Sequence, residues 1–154
     1  MAASLLLQGP VADAQQQAAP AAGQFEAARL VWTTLIAVEQ ANRTGNYSVL
    51  RDLGSPSFRD ANDAARLAGI FAGIREQNLG LDRTVLLTPV YDEPPAIQEN
   101  GMFRVRGSFA TRPVGITFDM LFEPLDGEWR LFGVGITPKP MPVPLPKPRP
   151  ASRG

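Results

Sequence analysis

From Phe25 to Asn42 the apolar residues Phe25, Ala28, Val31, Trp32, Leu35 and Val38 recur every three or four positions. That spacing predicts a helix of about five turns with one buried stripe. Gly45 supplies a stop, and Asn46 can cap a short helix through Leu53, with Gly54 closing it. Pro56 predicts a break in the chain. Asp60 or Asn62 then caps a third helix, in which Ala64, Leu67, Ala68, Phe71 and Ile74 share a face up to Gly80. This helix is expected to cover a sheet.

Beyond Gly80 the apolar period falls to two, and strands are predicted at Arg83 to Tyr91, Met102 to Ala110, Ile116 to Glu123 and Glu128 to Thr137. The second and third of these pair in one register that satisfies both faces. Phe103 meets Phe122, Val105 meets Met120 and Phe109 meets Ile116 inside, while Arg106 meets Asp119 and Ser108 meets Thr117 outside. Pro113 is incompatible with a two-residue primed turn, so a looser loop that also uses Gly115 is expected. The last hairpin turns at Asp126 and Gly127, residues suited to the positive φ of a type I′ turn. Its unbroken register pairs Phe122 with Leu131, Met120 with Gly133 and Phe118 with Gly135 inside, and Glu123 with Arg130 outside. Leu121, Phe132, Val134 and Ile136 then form an outer apolar stripe. Two readings stand: a second copy of the chain covers the stripe isologously, or a β-bulge turns these residues inward.

A chain of 154 residues that is 44% hydrophobic suits one domain. Residues 1–23 read as a signal remnant and leader, 24–138 as the domain and 139–154 as a proline-rich tail. In the leader, the apolar run Ala2 to Leu7 and the Ala12, Asp13, Ala14 site predict cleavage before Gln15 and a periplasmic or secreted protein; a cytoplasmic protein with a disordered leader is the alternative. The tail carries proline at every second position from Pro138 to Pro150, which favours a stiff extended arm. Its strict two-residue spacing argues against a PxxP ligand, and Lys139, Lys147 and Arg149 suit contact with an acidic envelope surface. The remaining charge is balanced against nucleic acid, because Gln24 to Pro138 holds 11 Arg against 14 Asp plus Glu. With no cysteine and no histidine, disulfides, thiolate metal sites and the usual neutral-pH base are excluded.

Three short motifs then carry a family resemblance: Gly45, Asn46 and Tyr47 at a helix start; Ser55, Pro56 and Phe58 at a corner; and Gly127 and Trp129 entering the last strand. With the element order, they make residues from about Phe25 to Thr137 resemble the nuclear transport factor 2-like (NTF2-like) superfamily. The resemblance implies an α+β, cystatin-like fold, with N-terminal helices packed on a curved antiparallel sheet of about four strands that forms a cone. That superfamily holds isomerases, dehydratases, transport factors and inert modules, and its enzymes place acids or bases inside the cone. Here the inward strand positions are apolar, and Tyr47 and Trp129 read as packing anchors. Tyr91 and Asp92, before Pro94 and Pro95, are the candidate ligand contacts at a cone mouth. Arg104 and Arg106 alternate on the solvent face, as anion ligands or as members of cross-strand ion pairs. No catalytic residue, cofactor or metal is assigned, and no buried carboxylate is expected in the cone.

The expected function is therefore a non-catalytic binding or interaction module of the bacterial envelope. Its partner is a protein, a small apolar ligand or a second copy through the sheet. The alternatives are an isomerase or dehydratase using a cone carboxylate or tyrosine, and an envelope structural protein whose tail is the working part.

Overall fold

The computed structural model describes residues 20–144; the expectations for the leader up to residue 19 and for the tail from residue 145 lie outside them. Helix α1 spans Gln24–Thr44 and ends on Gly45, whose φ of 73° lets its amide bond to the Ala41 carbonyl. Its buried stripe runs through Ala27, Leu30, Val31, Leu35, Val38 and Ala41, while Phe25 points outward at 85% exposure. The first residue of the periodic run thus has no neighbouring layer to cover it. Asn46 accepts a bond from the Ser48 amide ahead of α2, Ser48–Asp52.

The break expected at Pro56 is present, with Ser55 extended between α2 and the next helix; Pro56 also opens that helix, α3, Pro56–Ala61, in the first-turn position where its missing N–H costs nothing, and Ser55 caps the turn through the Phe58 amide. Asp60 lies within α3, so the cap of the next helix is neither Asp60 nor Asn62 but Asp63, which accepts from the Arg66 amide. The single third helix is instead two short ones, α4, Ala64–Ile70, and α5, Ala72–Glu76, joined at Phe71. Gly69 and Gly73 flank that joint and weaken a continuous helix there.

The strand expected over Arg83 to Tyr91 is replaced by a 3₁₀ helix at Leu81–Leu86, and of the expected stretch only β1, Val90–Tyr91, pairs as a strand. Local side-chain bonds explain the difference. Thr84 donates its hydroxyl to the Leu81 carbonyl, while Trp32 on α1 donates its indole N–H to the Thr84 carbonyl. These contacts satisfy the segment without a ladder.

The remaining strands are β2, Ala96–Ile97, β3, Phe103–Phe109, β4, Gly115–Leu125, and β5, Glu128–Lys139. Together they make one antiparallel sheet of five strands: β1 and β2 pair with one edge of β3, then β4 and β5 follow. Every β3–β4 pair expected from the sequence is present. Gly115 starts β4 rather than serving the loop, which contains a cis Arg112–Pro113 bond. At the other hairpin, Asp126 and Gly127 adopt φ values of 51° and 77°.

The β4–β5 register holds from Leu125↔Glu128 to Phe122↔Leu131 and then slips by one at Phe132. This bulge corrects the unbroken register. Gly133 lies opposite Leu121 and Gly135 opposite Asp119, both on the outer face, while Val134 opposes Met120 and Ile136 opposes Phe118. Ile136 is buried and Val134 packs against the core, so these two leave the expected outer stripe; Leu121 and Phe132 remain in it.

Helix and strand residues share one core, with ring pairs Phe103–Trp129 at 5.2 Å and Phe109–Phe118 at 5.4 Å. Room for Phe118 comes from Gly107 on the neighbouring strand, not from Gly133 or Gly135. A Cβ on Gly107 would lie 2.3 Å from the Val90 carbonyl oxygen and 2.9 Å from the Phe118 ring. Gly107→Ala is therefore expected to push β1 off β3 and destabilise the domain by about 1–3 kcal/mol, the range for overpacked cores, as measured by urea denaturation.

Candidate functional site

The wall of the sheet that faces the helices offers no polar chemistry. Val105, Phe109, Phe118, Met120 and Phe122 on β3 and β4 are each at most 1% exposed and fill the space between the layers. Tyr91 joins this wall at its rim, edge-on to Phe118 with ring centroids 6.5 Å apart. Its hydroxyl lies 3.5 Å from the Gln24 carbonyl, a long bond, and burial pushes the phenol pKa up. Asp92 is exposed, and what it contributes is its backbone amide, bonded to the Arg106 carbonyl. The two candidate mouth residues thus do not converge on one point.

On the outer face, the carboxylate of Asp119 is gripped by Arg104, with bonds of 3.0 Å and 2.7 Å. Arg106 stands opposite Asp119 in the ladder, as expected, but its side chain is not the main partner: its Nε is 3.7 Å from Asp119 and its other end is 3.5 Å from Glu93. Arg104 sits opposite Leu121, and its long fork reaches the diagonal neighbour in two-point geometry that the directly opposed Arg106 does not achieve. The Arg104 hydrogen bond holds the Asp119 carboxyl below its ordinary pKa. Each of these arginines has an acidic partner, which argues against a vacant anion site.

A third region carries polar groups that sequence patterning passed over. Glu39 lies on α1 four residues after Leu35, so the helix that buries Leu35 and Val38 also carries a carboxylate inward. It is 9% exposed, and its Oε2 accepts the buried Leu81 amide at 3.1 Å. Glu39 and Trp32 are seven residues apart, two turns of one face, and together they fasten α1 to the two ends of the Leu81–Thr84 turn. The readable signal was an acid inside an apolar stripe.

Beside Glu39 a cleft of about 190 Å³ opens between α1, α5 and the turn after α5, lined by Glu39, Asn42, Arg43, Ile74, Arg75, Asn78 and Leu79. Asn78 takes φ of 49°, which asparagine tolerates, and ends α5. Along one wall the Arg75 guanidinium donates to the Tyr47 hydroxyl at 2.6 Å, and that hydroxyl donates to Asn42 Oδ1 at 2.7 Å. Tyr47 is otherwise a packing residue, 2% exposed, as is Trp129, whose indole N–H reaches the Ala21 carbonyl. Among the described residues, no group of three or more acidic side chains is placed to hold a metal ion.

These bonds can be tested one at a time. Glu39→Ala strands the buried Leu81 amide and is expected to cost about 1–3 kcal/mol in chemical denaturation, whereas Glu39→Gln keeps an acceptor there and costs much less. Asp119→Asn tests the outer pair. Because the folded carboxyl is depressed, its stabilisation is present above ~pH 4 and is lost as pH falls through the lower folded value. The urea midpoints of wild type and Asp119→Asn should therefore differ slightly at neutral pH and converge in strong acid. No family model, no curated protein and no solved structure matches the chain.

Proposed function

We propose that the chain is a non-catalytic interaction module of the nuclear transport factor 2-like kind, exported to the cell envelope, and that its sheet binds a second copy of itself. The observation that carries this reading is the outer sheet face around the Phe132 bulge. Leu121 and Phe132 stand there as partly exposed apolar side chains, and Gly133 and Gly135 leave the surface beside them flat. The neighbouring Arg104–Asp119 pair places both signs of charge on the same face, which suits a self-complementary surface. The apolar wall facing the helices supports binding over proton transfer, because those strand positions offer no acid or base. Export is supported by the apolar run and the Ala12, Asp13, Ala14 site of the leader. Among the described residues no helix is long and apolar enough to cross a membrane.

Sedimentation across a concentration series tests the module. Wild type is expected to self-associate, and Phe132→Glu or Leu121→Glu to give folded monomers with unchanged circular dichroism. A wild type that stays monomeric at the highest soluble concentration refutes the interface.

A further inference from the structure

We infer that the cleft between α1, α5 and the Asn78–Leu79 turn binds a small zwitterion, with its ammonium group at Glu39 and its carboxylate at the Arg75 and Asn42 side. The site lies apart from the outer sheet face and goes beyond the module reading.

The floor of the cleft is a carboxylate about nine-tenths buried. One of its oxygens holds the Leu81 amide, and no cation lies within 4.0 Å of it among the described residues. A carboxylate accepts several bonds, and Oε1, which holds no protein partner among the described residues, is free to accept from a cationic donor that enters the cleft. No buried side-chain oxygen or nitrogen lacks a partner among the described residues, which places Oε1 at the cleft surface rather than sealed behind it. The structural bond to Leu81 accounts for one oxygen and leaves the other unexplained.

The rim supplies the opposite charge. Arg75 has a hydroxyl and a carbonyl as partners and no carboxylate within 4.0 Å among the described residues. Arg43 reaches only Asp82, at 3.9 Å with both side chains well exposed. The donor chain from Arg75 through Tyr47 occupies Asn42 Oδ1 and thereby directs the Asn42 amide N–H groups away from that bond, as further donors. A simple anion would enter past two guanidinium groups and meet Glu39. A simple cation would meet those two groups first. A molecule carrying both charges satisfies floor and rim together. The cleft, about 190 Å³ and open to solvent, admits a short-chain amino acid or amino-alkanoic acid.

The test is a ¹H–¹⁵N NMR titration of the full chain with glycine, alanine, serine and a series of ω-amino acids, with methylammonium and acetate as single-charge probes. At least one zwitterion is expected to give saturable shifts at the Leu81 and Asn78 amides, and each single-charge probe to bind at least about tenfold more weakly, the order set by losing one member of a desolvated charge pair. Glu39→Gln, which retains the acceptor for Leu81, and Arg75→Gln should each weaken that zwitterion by a similar factor while the rest of the spectrum is unchanged. Absence of saturable shifts with every zwitterion overturns the inference. So does equal affinity in both variants, or equal affinity for acetate or methylammonium. None of these results bears on the sheet interface, which sedimentation reads separately.

Discussion

Asp126 and Gly127 fix where β5 begins, and the turn commits Trp129 and Leu131 to the core; from there the phase of the strand rests on one extra residue, Phe132. Without it, strict alternation would place Gly133 and Gly135 inside and leave Val134 and Ile136 in water. A fully buried Val or Ile side chain is worth ~1.5–3 kcal/mol over an exposed one, whereas the bulge leaves one residue out of the ladder. Burial outweighs the interrupted pairing. The same slip puts two glycines beside Leu121 on the outer face, so the residue that completes the core also shapes the surface proposed for self-association.

The other organising contact is between α1 and the segment that did not become a strand. Leu81–Leu86 has enough β-branched and apolar content to read as extended, but it contacts α1 through the Glu39 and Trp32 side chains and closes on itself through Thr84. Those bonds connect residues 42 and 52 positions apart in sequence. Periodicity has no access to contacts of that separation. Glu39, which makes one of these bonds, also lines the polar cleft, so fold and candidate site share it.

Legibility in the sequence followed the reach of the interactions. The β3–β4 register could be read because both faces constrain it at once: rings and Met120 inside, Arg106, Asp119, Ser108 and Thr117 outside. The β4–β5 register was legible only as far as the turn dictated it, up to Phe122↔Leu131. The cap of α4 falls on Asp63 rather than Asp60 or Asn62 because several Asp and Asn residues crowd that stretch, and only backbone geometry selects among them. Arg104 took Asp119 from Arg106 because a long side chain reaches diagonally. Glu39 carried its signal openly, as an acid on the buried face of a strongly periodic helix.

The two polar regions differ in a way that bears on function. On the sheet, every charge of the Arg104, Arg106, Asp119 and Glu93 ladder has an opposite charge within 3.7 Å, at partly exposed positions where such pairs add little stability and serve mainly to shape a surface. In the cleft, a nearly buried carboxylate and an arginine without an acidic partner among the described residues face the same space, and neither satisfies the other. Folding alone would favour closing that pair or replacing it with apolar packing. Keeping the charges apart around an open volume is the arrangement expected when a third molecule bridges both, which is the basis of the zwitterion proposal.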